Sequence, residues 1–205
     1  MASVTPLRRP EDPEPPALHA RAMDNLAYIR DTMEAAVSFT AVSGWGMVAV
    51  GLVALLAAIA AGAQPTTGSG LKVWLLSAVL APVISLWAIV RKAKAARMPL
   101  LSGPGRKFLL SFSPPILVGA LLTVVLYRAG LPQAIPGVWL LLYGTAVVAG
   151  GAFSVQIVPV MGFCFMVAGI VALFAPATWG NWIMAVAFGG LHIAFGIPIA
   201  RRHGG

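Results

Sequence analysis

No aspartate or glutamate follows Glu34 in this chain of 205 residues. Buried carboxylates are the usual exchange groups of cation-coupled transporters and proton pumps, so their absence argues against that class. It also removes paired carboxylates for acid–base work, the carboxylates of most metal sites, and the acid of a Ser/His/Asp triad. Cysteine is nearly absent too. Cys164 alone excludes an internal disulfide, and inside an apolar run it reads as a small buried hydrophobe. No Cys/His arrangement can be assembled, and no enzymatic activity is expected. Charge of either sign is scarce at 10% of residues, where soluble domains carry roughly 25%.

What fills the chain instead is hydrocarbon. Hydrophobic residues make up 59%, and the mean hydropathy is +0.88. Apolar runs near 20 residues match a bilayer core of roughly 30 Å at about 1.5 Å per helical residue. They predict six spans, at about 42–63, 71–90, 108–127, 136–153, 156–175 and 180–200. The fourth and fifth are parted only by the weak, uncharged break Gly150 to Gln156. The expected fold is therefore all-α, a polytopic membrane bundle of six transmembrane helices over residues 40–205.

The net charge of +8 invites a nucleic-acid reading, which its distribution rejects. Arg91, Lys92, Lys94, Arg97, Arg106 and Lys107 crowd the connection between the second and third spans. Basic connections resist translocation, so this one is placed in the cytoplasm. Alternation then leaves twelve Lys and Arg on that side and only Lys72 and Arg128 on the other. Both termini are expected on the cytoplasmic side of the membrane, with the lipid bilayer as partner and no nucleic acid.

Residues 1–21 are rich in proline and charge, without the apolar region of a secretory leader. They are expected to be a disordered cytoplasmic tail. Over residues 22–39, Ala22, Leu26, Ile29, Met33, Ala36 and Val37 recur at spacings of three and four. That pattern predicts an amphipathic helix lying along the cytoplasmic interface. Asp24, Asp31 and Glu34 sit off its apolar face, against Arg30 alone. The six cations of 91–107 are its expected electrostatic partner, since the anionic leaflet would repel it.

Within the spans, His192 is the one titratable side chain placed deep in hydrocarbon. Interhelical hydrogen bonding is its plainest role; binding a ligand, a proton or haem iron is the functional alternative. Small residues recur four apart at Ala54, Ala58 and Gly62, at Ser77, Ala81 and Ser85, at Ala146 and Gly150, and at Ala185 and Gly189. Such stripes let helices approach closely, within one bundle or in a homo-oligomer. Pro82, Pro114, Pro115, Pro159 and Pro198 interrupt spans or their ends, and a kink at Pro114-Pro115 could open a cavity. Trp74, Trp139, Trp179 and Trp182 fall near the outer interface, as an aromatic belt would. Gly51, Gly119 and Gly169 open similar apolar heptads, and Trp74, Trp139 and Trp182 open the helices that follow. This weak repeat suggests three helical hairpins.

The run Asn25-Leu26-Ala27-Tyr28-Ile29-Arg30-Asp31-Thr32-Met33-Glu34, with Ser38-Phe39-Thr40-Ala41-Val42-Ser43-Gly44-Trp45-Gly46, resembles a family of uncharacterised bacterial six-span membrane proteins. Gly189-Gly190-Leu191-His192-Ile193 and Ala200-Arg201-Arg202 are similar to it as well. The resemblance implies a bacterial cytoplasmic membrane and supplies no activity. Mitochondrial carriers also have three hairpins, but their motif needs acids at the ends of odd spans, and none exists here.

A regulatory or scaffold subunit, with a membrane-protein partner and no cofactor, is the leading functional expectation. A small transporter or channel for a neutral or anionic solute is the second. A haem- or quinone-binding subunit using His192 is the third. A polar cavity reaching mid-membrane would favour transport, whereas tightly filled spans would favour a scaffold.

Overall fold

The computed structural model describes residues 21–29, 43–95, 103–152 and 154–203. Residues 21–29 form a helix, α1, that carries Asp24. The rest of the expected amphipathic helix, with Asp31 and Glu34, lies outside the described residues, as do the tail 1–20 and Arg97.

The bundle is built from α2 (Gly44–Gly62), α3 (Thr67–Ala95), α4 (Gly103–Arg128), α5 (Ile135–Gly151) and α6 (Ile157–Phe174). A last rod follows, made of α7 (Gly180–Met184), a π-helical stretch (Ala185–Leu191) and α8 (His192–His203). Six of these segments are long and apolar enough to cross a membrane, and no strand occurs among the described residues. Helices are what such a sequence must form, because hydrocarbon offers no partner for a free peptide group. The outside of the bundle is apolar, with Leu56 66% and Leu117 69% exposed.

Local chemistry sets the helix ends. Ser43 accepts from the Gly46 amide at 3.1 Å and caps α2. Thr66 and Ser69 cap α3 reciprocally: the Ser69 amide donates to Thr66 Oγ1 at 3.1 Å, and the Thr66 amide to Ser69 Oγ at 3.3 Å. At the end of α4, Gly130 adopts a left-handed φ of 73°. The Leu131 amide then reaches the Leu126 carbonyl at 2.9 Å, a turn that costs glycine little. α3 and α4 both run past the expected spans into the basic stretch. Arg91, Lys94, Arg106 and Lys107 are exposed at their ends, Lys92 is half-buried, and the Arg91 guanidinium lies 4.9 Å over the Trp87 ring.

Packing is concentrated in two antiparallel pairs. α5 packs on α6, and α2 packs on the last rod. Each pair is seamed by glycines seven residues apart. In the first, Gly137 faces Gly169 and Gly144 faces Gly162: a Cβ at Gly144 would stand 2.6 Å from the Gly162 carbonyl oxygen, and one at Gly169 3.0 Å from that of Gly137. In the second, Gly44 faces Gly196 and Gly51 faces Gly189, at 2.5 and 2.8 Å by the same measure. Hydrocarbon gives helices no hydrophobic reason to associate, so close backbone approach is what binds them, through dispersion and Cα–H···O contact.

α3 and α4 stand differently. α3 packs on α2 and α4 on α5, but among the described residues the two make at most slight contact with each other. The hairpins α2–α3 and α4–α5 thus form as expected, while α6 and the last rod each take their main partner from another hairpin. Of the small-residue stripes, Ala54 and Ala58, Ala146 and Gly150, and Ala185 and Gly189 are buried in packing. Ser77, Ala81 and Ser85 instead line an open space.

Candidate functional site

That space is a cleft of about 980 Å³ bounded by α3 on one side and α4 on the other. Its back wall is made by α2, α5, α6 and the last rod. It extends from the turn residues Gln64 and Gln133 at one end to Phe108 and Ile89 near the other. Leu75, Phe112, Ile116, Val147, Met161 and Met184 make most of the wall apolar.

Midway along it lies a cluster of rings contributed by five helical segments. Tyr143 of α5 meets Phe112 of α4 edge-on at 6.0 Å and Phe165 of α6 at 4.8 Å. It also meets Phe188 of the π-helical stretch at 5.1 Å. His192, at the start of α8, lies 5.3 Å from Phe165 and stacks on Phe188 at 6.1 Å. Offset and edge-on pairs of this kind each contribute roughly 0.5–1.5 kcal/mol beyond area burial.

The polar heart of the cluster is a bond between Tyr143 Oη and His192 Nε2, at 2.7 Å. His192 Nδ1 lies 2.8 Å from the Phe188 carbonyl oxygen. A carbonyl only accepts, so Nδ1 carries the ring proton and donates it there. Nε2 is then an acceptor, and the Tyr143 hydroxyl donates to it. A buried charge without a counter-charge is costly, so the imidazole is neutral, and both its nitrogens are engaged. A haem iron would have to displace Tyr143 from Nε2. The π-helical stretch ends where this pair begins, and such widened turns recur at functional sites.

Two further hydrogen-bond relays brace the walls. Trp74 Nε1 of α3 donates to Asn181 Oδ1 at 2.9 Å, and Asn181 Nδ2 donates to the Ala58 carbonyl at 3.0 Å. Asn181 thus joins α7 to both α2 and α3. Trp139 Nε1 donates to Thr123 Oγ1 at 2.8 Å, and Thr123 to the Gly119 carbonyl at 2.8 Å, tying α5 to α4. Trp74 and Trp139 therefore turn into the protein, whereas Trp179 and Trp182 are exposed as a belt requires.

The sequence singled out His192, which is 3% exposed and at the centre of the site. It missed Tyr143, although a tyrosine eight residues into a span, far from either interface, needs a buried partner and was a usable signal. It also missed Asn181. The basic residues Arg91, Lys92, Lys94, Arg106 and Lys107 lie on helix ends and do not line the cleft. Phe112, two residues before Pro114, does line it, as does Pro82. Among the described residues no group of His, Cys, Asp and Glu is placed to hold a metal ion. No family model matches the chain, and no curated protein or solved structure is significantly similar to it.

Proposed function

We propose that this integral membrane protein is a binding protein for a lipid-like molecule, which it holds in the cleft between α3 and α4 without transforming it. The observation that carries the reading is the cleft itself. Its 980 Å³ is at the upper end of small-molecule pockets, and its two flanking helices do not close over it. A scaffold subunit would have no use for such a volume, so the carrier alternative is favoured over the scaffold. A neutral cargo is favoured over an anionic one, because no Lys or Arg among the described residues lines the wall. The twelve-to-two bias of Lys and Arg supports cytoplasmic termini. The resemblance of the 25–46 region supports a bacterial cytoplasmic membrane.

The test is photolabelling of the full chain in lipid nanodiscs with a diazirine-bearing alkane that has no polar group. Labels should concentrate on cleft residues such as Phe112, Met161 and Met184 rather than on the outward Leu56 and Leu117. Ala81→Trp, which places an indole in the cleft, should suppress the inner labels and spare the outer ones. Uniform labelling of all apolar surfaces would refute the reading.

A further inference from the structure

The proposed binding role leaves open what head group the ligand carries, and the hydrogen bonds of the wall address that. At the level of the ring cluster the cleft is lined by Trp74, Ser77, Trp139, Tyr143 and His192, all with N–H or O–H groups. The Asn181 amide also lines it but sits eleven residues before His192, about 16 Å away by helical rise. Each of the five spends its proton within the protein. Trp74 gives its proton to Asn181, and Trp139 to Thr123. Ser77 Oγ donates to the Trp74 carbonyl at 2.8 Å. His192 donates to the Phe188 carbonyl, and Tyr143 donates to His192.

What remains facing the cleft is therefore a set of oxygen lone pairs. A phenol that donates keeps a lone pair free to accept, and so does a serine hydroxyl. Tyr143 lines the cleft and is half-buried as a residue. Its own bond to an imidazole polarises the O–H and makes that oxygen a better acceptor, the cooperative effect of linked hydrogen bonds. Ser85 lies two turns further along α3, about 12 Å away by helical rise, and belongs to another level.

We infer that the cleft selects a ligand that donates a hydrogen bond at mid-depth: an apolar chain bearing a free hydroxyl, such as a long-chain alcohol or a quinol. The corresponding ether, ester or quinone brings only acceptors. Oxygen would then face oxygen with no proton between them, and burying a polar group without a partner is costly. The inference rests on the binding role proposed above.

The experiment uses the photoreactive alkane as the reporter and asks what displaces it from wild-type protein in nanodiscs. Hexadecanol and its methyl ether are compared at equal mole fraction. One retained hydrogen bond should make the alcohol roughly three- to tenfold the better competitor. Tyr143→Phe, which keeps the ring and removes the oxygen, should bring the two competitors within about twofold by weakening the alcohol alone. Equal competition at wild-type protein, or a preference for the ether, would overturn the inference while leaving the binding role intact. Failure of the alkane itself to label the cleft would overturn the binding role and the inference with it. The wild-type comparison needs no variant, so it decides the matter even if Tyr143→Phe folds poorly.

Discussion

Gly144→Ala tests the glycine seam between α5 and α6. The added methyl would stand 2.6 Å from the Gly162 carbonyl oxygen, 2.7 Å from Met166 Cγ and 2.9 Å from the Met166 amide nitrogen. Two of these three are backbone atoms, which no rotamer change can move. Restoring ordinary contact, which starts near 3.4 Å, requires the helices to part by most of an ångström. A radial gap of about 0.5–1 Å already forfeits a quarter to a half of a dispersion well, and the loss is shared along the seam. Overpacking of this kind costs about 1–3 kcal/mol. Replacing a helical glycine by alanine returns about 0.5–1 kcal/mol. The net loss should therefore be roughly 1–2 kcal/mol, or a Tm lower by about 2–8 °C for a chain of this size. Thermal unfolding in detergent, followed by tryptophan fluorescence, reads it directly. Gly119→Ala is the control, because a Cβ there would meet its nearest neighbours at 3.5–3.6 Å. It should melt at or above wild type. A Gly144→Ala protein that melts with the Gly119→Ala protein would refute the seam as a determinant of stability.

Three other outcomes are expected. His192→Leu should cost about 1–2 kcal/mol in the same melt, while His192→Gln, which can still accept from Tyr143, should lose less; equal Tm values for the two would deny the dyad a structural role. Asn181→Leu removes bonds to both α2 and α3, so it should destabilise more than Trp74→Phe, which keeps the ring against Phe188 and loses about 0.6 kcal/mol; the reverse order would mean that Asn181 is not the bracing residue. With Cys164→Ser as background, an impermeant maleimide added to intact cells should label Gln64→Cys and spare Arg91→Cys, and the opposite pattern would invert the assigned orientation.

The spans were legible because twenty apolar residues in a row have few other uses, and Lys, Arg and Pro punctuate them. Their ends were less so. α3 continues to Ala95 and α4 starts at Gly103 because a helix does not stop where hydrocarbon does, and long basic side chains can reach water from its last turns. The seams escape a sequence reading for a definite reason. Small residues four apart mark steeply crossing pairs, whereas these antiparallel pairs repeat at seven, as near-aligned helices do. His192 was legible as a lone imidazole in hydrocarbon. Its pairing with Tyr143 was not, because the two are 49 positions apart, and nothing local to either residue specifies the other. The cleft was legible only as the cavity that a kink at Pro114-Pro115 could open; its extent depends on α3 and α4 not packing on each other, and a sequence shows no sign of a contact that is not made.

The gap between α3 and α4 also determines the phase in which any affinity must be expressed. A pocket reached from water is filled according to aqueous concentration. In the binding role proposed above, this one is entered from the bilayer between two helices, so its occupancy would follow the mole fraction of ligand among the surrounding lipids. Diluting the buffer would leave that ratio unchanged and the site as full as before. Adding empty micelles or plain lipid at constant aqueous volume would drain it. A site of this kind needs little intrinsic affinity, because partitioning has already concentrated its ligand beside it. It would respond, continuously and reversibly, to the composition of the membrane in which it sits.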